Sequence, residues 1–252
     1  MTLVSVAASG VTIAMFLSQL SVVPQLKQAR RTKLAVPVLQ FLMSFLSSVL
    51  WLKYGLLKGD GTIAAVNATG VVVALFIVVQ FWRHADGAGA RARVEAKALG
   101  TVVLGVVLVG YVDRSRDPAA ADVFSVACCA MSLLFLAAPL GQIGGVVARR
   151  DASVLLPAVA ALAFANNVLW AVYGHIHADP YMTLPNGVGA LFCLLQLGLV
   201  AYYGRASAAA AASAGAMRDS PLDDALAVAA GSGGGVAVAV ESVPMAELAH
   251  RS

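Results

Sequence analysis

The residues of this 252-residue chain whose types and spacing could do chemistry come in pairs: Asn67 with Asn186, Trp51 with Trp170, and Tyr54 with Asp179. Both asparagines lie deep in apolar stretches, where an unpaired amide costs several kcal/mol unless it is bonded or faces a polar cavity. One reading is an interhelical polar clasp, worth about 0.6 kcal/mol. The other uses the two donors and the acceptor of each amide on the hydroxyls of a neutral ligand. Trp51 and Trp170 read either as interfacial belt residues or as apolar platforms flanking the asparagines, suited to stacking on the C–H face of a pyranose. Tyr54 follows Trp51 by one helical turn. Asp179 precedes Asn186 by seven residues, two turns or about 10 Å. A Tyr54–Asp179 hydrogen bond would close a mouth above the asparagines, with Asp60 and Tyr173 as the reciprocal pair. The competing reading is a loop position for both aspartates, and a turn for Asp60 between Gly59 and Gly61.

The pairing is a property of the whole chain. At an offset of 119, Ser47-Ser48-Val49-Leu50-Trp51-Leu52-Lys53-Tyr54-Gly55 meets Asn166-Asn167-Val168-Leu169-Trp170-Ala171-Val172-Tyr173-Gly174. Without a gap, Asp60 then meets Asp179, Asn67 meets Asn186 and Gly70 meets Gly189. Polar, aromatic and glycine matches of this kind do not arise from an Ala/Val-rich bias.

Sixty per cent of the residues are apolar and 12% are charged, about half the charged share of an ordinary soluble domain. The charges separate seven stretches: Met1–Leu26, Leu34–Leu52, Gly61–Trp82, Ala98–Val112, Val123–Ala148, Ala152–Ala178 and Pro180–Gly204. Six have the roughly 20 residues a membrane span needs. The fourth reaches only about 22 Å, a shortfall that snorkelling Lys97 and Arg114 could cover. The expected fold is an all-α membrane protein with seven transmembrane helices, arranged as two parallel three-helix bundles (1–3 and 5–7) joined by helix 4. The first bundle covers residues 1–83, a cytoplasmic loop and linker helix 84–122, the second bundle 123–204, and a disordered cytosolic tail 205–252. The odd helix is what makes the two copies run the same way.

Met1–Leu26 has no basic residue ahead of its apolar run, so it reads as a retained helix rather than a leader. Lys27, Arg30, Arg31, Lys33, Arg83, Arg91, Arg93, Lys97, Arg149, Arg150 and Arg205 fall on one side, and only Lys53, Lys58, Arg114 and Arg116 on the other. The positive-inside rule puts the first side in the cytosol and the N-terminus outside. The net charge of +4 follows from this bias and is no nucleic-acid footprint. The expected location is the plasma membrane, with an internal membrane as the alternative. Membrane lipid is the surrounding partner, and the sequence leaves room for a homo-oligomer.

Pro24, Pro37, Pro139 and Pro157 fall near cytoplasmic helix ends or within spans, where the missing N–H makes flexible points that could pinch an inner mouth. Cys128, Cys129 and Cys193 read as small packing residues, with neither disulfide nor metal spacing. No carboxylate lies in mid-span, which argues against proton or sodium coupling. No nucleophile–base set, metal cluster or phosphate loop supports an enzyme, and no cofactor is implied.

At Trp51-Leu52-Lys53-Tyr54-Gly55, Asn67, Asp179-Pro180 and Leu184-Pro185-Asn186-Gly187-Val188-Gly189, the sequence resembles the SWEET family of sugar transporters, over roughly residues 10–204. The resemblance implies a facilitative, bidirectional uniporter with a sugar substrate. Asn67 and Asn186 would hold its hydroxyls, Trp51 and Trp170 would flank it, Tyr54 and Asp179 would form the outer gate, and Pro139 and Pro157 would belong to the inner gate. The first copy departs from the pattern. The ungapped counterpart of Pro139 is Leu20, with Pro24 one turn further on, and Gln40 stands at the helix 2 proline position in an alternative register. Pro24-Gln25 is also a literal PQ pair, which makes a PQ-loop amino-acid exporter the alternative. A seven-helix receptor or a non-transporting scaffold are the other readings. Because both copies carry Trp, the pocket is expected to prefer a monosaccharide, glucose-like in size.

Overall fold

The computed structural model describes residues 2–29, 38–135, 137–152 and 154–215. These residues form α1 (Leu3–Ser18), a 3-10 turn (Gln19–Ser21), α2 (Val22–Ala29), α3 (Val38–Lys58), α4 (Gly61–His84), α5 (Gly87–Arg114), α6 (Ala120–Leu134), α7 (Ala137–Arg149), α8 (Pro157–Ile176) and α9 (Pro180–Gly215). There is no strand among them. Among the described residues, six segments are long and apolar enough to cross a membrane, and Ala120–Leu134 is a shorter apolar helix. Much of the outward surface is Val and Leu, as at Val72, Val106, Val107 and Leu191. Only helices that satisfy their own backbone can present such a surface to hydrocarbon.

The linker helix is longer than its apolar stretch. α5 has 28 residues, or about 42 Å at 1.5 Å per residue, while its charge-free part is still Ala98–Val112, with Lys97 and Arg114 near its ends. The charged run Arg91–Lys97 did not end the helix, because Ala, Arg, Glu and Lys are all good helix formers. Only Ala85 and Asp86 separate α4 from α5.

Within the first copy, α4 lies between α1 and α3; within the second, α9 lies between α6 and α8. The copies meet at two seams, α1 against α8 and α3 against α6. Six helices thus close a ring in the order α1, α4, α3, α6, α9, α8. α5 packs outside it, on α3, α4 and α6, and the Lys53–Asp113 ion pair ties it to α3.

The repeated glycines are where helices approach most closely. A Cβ on Gly55 would sit 2.7 Å from the Ala64 backbone nitrogen, and one on Gly174 would sit 2.9 Å from that of Thr183. At Gly70 and Gly189 it would meet Ser48 Oγ and Asn167 Oδ1, each at 2.5 Å. Ser48 and Asn167 are themselves equivalent under the offset of 119.

The cores differ along the molecule. At the end carrying the α3–α4 and α8–α9 turns, one cluster draws on both copies: Leu50, Tyr54 and Ile63 from the first, Phe124, Cys128 and Tyr173 from the second. At the other end each copy has its own core. Leu26, Phe41, Leu42 and Ile77 pack within the first, and Val146, Ala152 and Leu155 pack with Leu199 and Tyr203 within the second.

Candidate functional site

Each turn at the shared-core end is built the same way. Asp60 N–H donates to Gly55 O at 2.8 Å and Gly59 N–H to Leu56 O at 3.3 Å; Asp179 and Ala178 repeat this to Gly174 O at 2.8 Å and His175 O at 3.1 Å. This double bond pattern is the Schellman motif, which needs a left-handed residue after the helix. Gly59 supplies it at φ 65° and Ala178 at φ 51°. The next residue, the aspartate, starts the following helix. Asp60 Oδ1 accepts from Thr62 N at 2.9 Å and Ile63 N at 3.1 Å, and Asp179 Oδ1 accepts from Met182 N at 3.2 Å. These bonds satisfy N–H groups that the first turn of each following helix leaves without a partner.

The second oxygen of each carboxylate reaches across the ring. Tyr54 Oη donates to Asp179 Oδ2 at 2.6 Å, and Tyr173 Oη donates to Asp60 Oδ2 at 2.7 Å. The loop reading and the mouth-closing reading of the aspartates therefore describe two oxygens of the same group. Both tyrosines are buried, Tyr54 completely. Lys58 lies over the Tyr54 ring at 5.6 Å, and its counterpart His177 stacks on Tyr173 at 4.1 Å.

One turn inward from the tyrosines are the tryptophans. Trp51 is 9% and Trp170 is 7% exposed, so neither sits in a lipid-facing belt. Each meets its own tyrosine edge-on, at 5.0 Å and 5.4 Å. Each N–H crosses to the opposite copy: Trp51 Nε1 donates to Ser132 Oγ at 3.0 Å, and Trp170 Nε1 to Thr12 Oγ1 at 2.7 Å.

Asn67 and Asn186 lie opposite the lipid-facing stripes of their helices. In α4 the exposed residues Val72, Phe76 and Val79 mark that stripe, and Ile63, Gly70 and Ala74 mark the face that carries Asn67. Leu184, Leu191 and Leu195 play the same part in α9, with Met182, Gly189 and Cys193 beside Asn186. Each amide donates one hydrogen bond within its own helix, Asn67 to Ile63 O and Asn186 to Met182 O, both at 2.8 Å. No clasp joins the two amides among the described residues. Both are partly exposed, and the one buried side-chain polar atom without a partner among the described residues is Ser9 Oγ. The amide oxygens therefore open on accessible space. Asn67-Ala68-Thr69 matches the Asn-X-Ser/Thr glycosylation pattern, and its placement in the middle of α4 leaves that match without use.

The prolines fall into two kinds. Pro24 is the third residue of α2 and Pro139 the third residue of α7. Neither residue can bond the carbonyl four positions earlier, which is Leu20 in one copy and Phe135 in the other. Those carbonyls lie in the 3-10 turn and the turn that break the two spans. The third N–H of a helix has no intrahelical partner anyway, so a new helix can begin just there. Pro24 and Pro139 are thus equivalent by position in the element, although the ungapped offset places them four residues apart. Pro157 instead opens α8 as its first residue, a placement that presets φ rather than kinking a helix. Pro37 lies outside the described residues.

Thr12, Ser132 and Asn166 were not singled out in the sequence. Asn166 was visible in the repeat alignment, opposite Ser47, as a polar position inside a span. Thr12 and Ser132 left no such mark, because a lone hydroxyl in a span is ordinarily satisfied by the carbonyl one turn back. Both hydroxyls lie within reach of that carbonyl here, Ala8 O and Cys128 O.

Residues 2–86 and 122–208, more than half the chain and both copies, match the family described as "Sugar efflux transporter for intercellular exchange". The sugar transporter SWEET1 of Drosophila pseudoobscura pseudoobscura is 32% identical over 166 residues, covering 65% of this chain and 72% of that one. SWEET1 of Dictyostelium discoideum is 25% identical over 210 residues, 81% of this chain and 93% of that one. The bidirectional sugar transporter SWEET7b of Oryza sativa subsp. japonica is 27% identical over 173 residues, 66% and 64%. A solved eukaryotic SWEET transporter shares the fold at a TM-score of 0.73 and 23% identity, covering 80% of this chain and 95% of that one. The names of these relatives describe transporters, not enzymes. With both copies matched, and with the all-helical architecture shared, the chain belongs to the SWEET family of sugar transporters.

Proposed function

We propose that the chain is a facilitative, bidirectional uniporter that carries a glucose-like monosaccharide across the plasma membrane by alternating access. Residues 1–83 and 123–204 act as two bodies tied by 84–122, with 205–252 as a cytosolic tail; the part of that tail from 216 on lies outside the described residues. The observation that carries this reading is the asymmetry between the two ends of the ring. Two reciprocal Tyr–Asp bonds and one common core seal the end with few cations. At the end rich in Lys and Arg, each copy keeps a separate core. That is the arrangement expected of a transporter closed to the outside and poised toward the cytosol, with the N-terminus extracellular.

Asn67 and Asn186 hold the sugar hydroxyls, and Trp51 and Trp170 flank its ring. Tyr54 and Asp179 form the outer gate, and Pro24, Pro37, Pro139 and Pro157 the inner hinges. The absence of mid-span carboxylates means that nothing on the path has to be protonated for the ring to reopen. The test is radiolabelled flux into proteoliposomes, with and without imposed proton and sodium gradients. Glucose should equilibrate in both directions and never accumulate. Uphill accumulation driven by either gradient would refute the uniporter reading.

A further inference from the structure

The two indole N–H groups are satisfied in unlike ways. Trp51 donates to Ser132, whose hydroxyl turns back to Cys128 O on its own helix at 3.2 Å. The Trp170 bond continues further. Thr12 Oγ1, which accepts from Trp170 Nε1 at 2.7 Å, lies 2.7 Å from Asn166 Oδ1, one turn before Trp170 on α8. A hydroxyl has one proton and two acceptor sites, so Thr12 can accept from the indole while donating to Asn166. The path then runs from α8 to α1 and back to α8. Ala8 O, at 2.8 Å, is the only other acceptor for that proton among the described residues. The relay belongs to one seam alone, because the offset counterparts of Thr12 and Asn166 are Met131 and Ser47.

We propose that Thr12 is a positioning residue for Trp170. The buried indole packs in the shared core, with its N–H held by Thr12 and its edge against Tyr173 at 5.4 Å. With the N–H released, the ring keeps its apolar packing in the shared core but loses the one polar bond that fixes its rotation. Thr12 therefore sets how well the ring face is presented to the sugar. The transport arm of this inference rests on the uniporter reading above; the hydrogen-bond arm does not.

The test compares Thr12→Val, which keeps the shape and removes the hydroxyl, with Thr12→Ser, which keeps the hydroxyl. Hydrogen exchange at the Trp170 indole N–H is followed by NMR in detergent, and glucose flux is measured in proteoliposomes. Thr12→Val should speed indole exchange about threefold to tenfold, the loss expected for one neutral hydrogen bond. It should raise the half-saturation concentration for glucose by a similar factor while the maximal rate holds. Thr12→Ser should restore both. Unchanged exchange in Thr12→Val overturns the relay. Faster exchange with unchanged half-saturation overturns the positioning role. Failure of Thr12→Ser to rescue shows that the methyl group, not the hydroxyl, mattered, and also overturns it. Absence of glucose flux in the unmodified protein would strike the uniporter reading instead, with the exchange arm still deciding the relay.

Discussion

Replacing Tyr54 by Phe removes one oxygen from the sealed end of the ring and should shift the protein toward its outward-open form. The ring is fully buried and packs edge-on against Trp51, so its apolar contacts survive the change. Asp179 keeps its bond from Met182 N, so α9 keeps its cap. What is lost is one charge-assisted hydrogen bond of 2.6 Å, worth about 1.5–3 kcal/mol. At about 1.4 kcal/mol per decade, the closed-to-open ratio should fall roughly tenfold to a hundredfold. Leu57 and Ile176 are exposed, repeat-equivalent positions at the ends of α3 and α8, suited to spin labels in a variant lacking the three native cysteines. The label-to-label distance distribution should broaden toward longer values in Tyr54→Phe. It should move further in Tyr54→Phe/Tyr173→Phe, where the reciprocal bond of 2.7 Å is also gone. Identical distributions in the unmodified protein and the double variant would refute the idea that these bonds hold the mouth shut.

Asn67→Ala and Asn186→Ala should each abolish glucose flux while membrane insertion stays near normal, since each loses two or three bonds of about 0.5–1.5 kcal/mol to a hydroxyl-rich ligand; full transport in both would move the binding site elsewhere. The unmodified protein should carry glucose faster than sucrose in the same vesicles, because two buried indoles narrow the site; the reverse order would undo the two-indole reasoning. Ala178→Gly should stabilise the protein by about 0.5–1 kcal/mol, as a left-handed Ala is strained where Gly is not, and Gly59→Ala should cost about as much, both read from thermal melts in detergent. Gly55→Ala should cost about 1–3 kcal/mol in the same melts, because its Cβ would lie 2.7 Å from a backbone nitrogen that cannot move aside.

The six long apolar helices and the shorter one, the repeat and the Tyr–Asp pairing were legible in the sequence because each depends on residue types that hydrocarbon makes expensive or that duplication makes conspicuous. Asn67 could be placed by depth alone, and Asp179 by counting two turns back from Asn186. The extent of α5 was not legible, since apolarity marks where lipid begins but not where a helix begins. The equivalence of Pro24 and Pro139 was hidden for a different reason. A proline acts on the carbonyl four residues earlier, so the break it makes can be matched between copies while the ungapped alignment is not. The Thr12–Asn166–Trp170 path depends on contacts between residues more than 150 positions apart, which no local pattern encodes. Its counterpart on the other seam uses Ser132 at a non-equivalent position, so even the repeat gave no second view of it.

The placement of α5 has a mechanical consequence. It lies against both copies along the α3/α6 seam, with the Lys53–Asp113 ion pair fastening it to α3. The α1/α8 seam has no comparable strap among the described residues. Two like leaves are thus bound along one edge, as in a book, with α5 as the spine. Rotation of one leaf against the other about such a spine displaces atoms at α1 and α8 furthest and those at α3 and α6 least. Under the alternating-access proposal, the side chains that part and rejoin are then those of the fore-edge. The pair at the spine, Trp51 and Ser132, can stay bonded throughout. Duplication supplied two equal halves, and under the alternating-access proposal the single inserted helix sets which side of the ring swings.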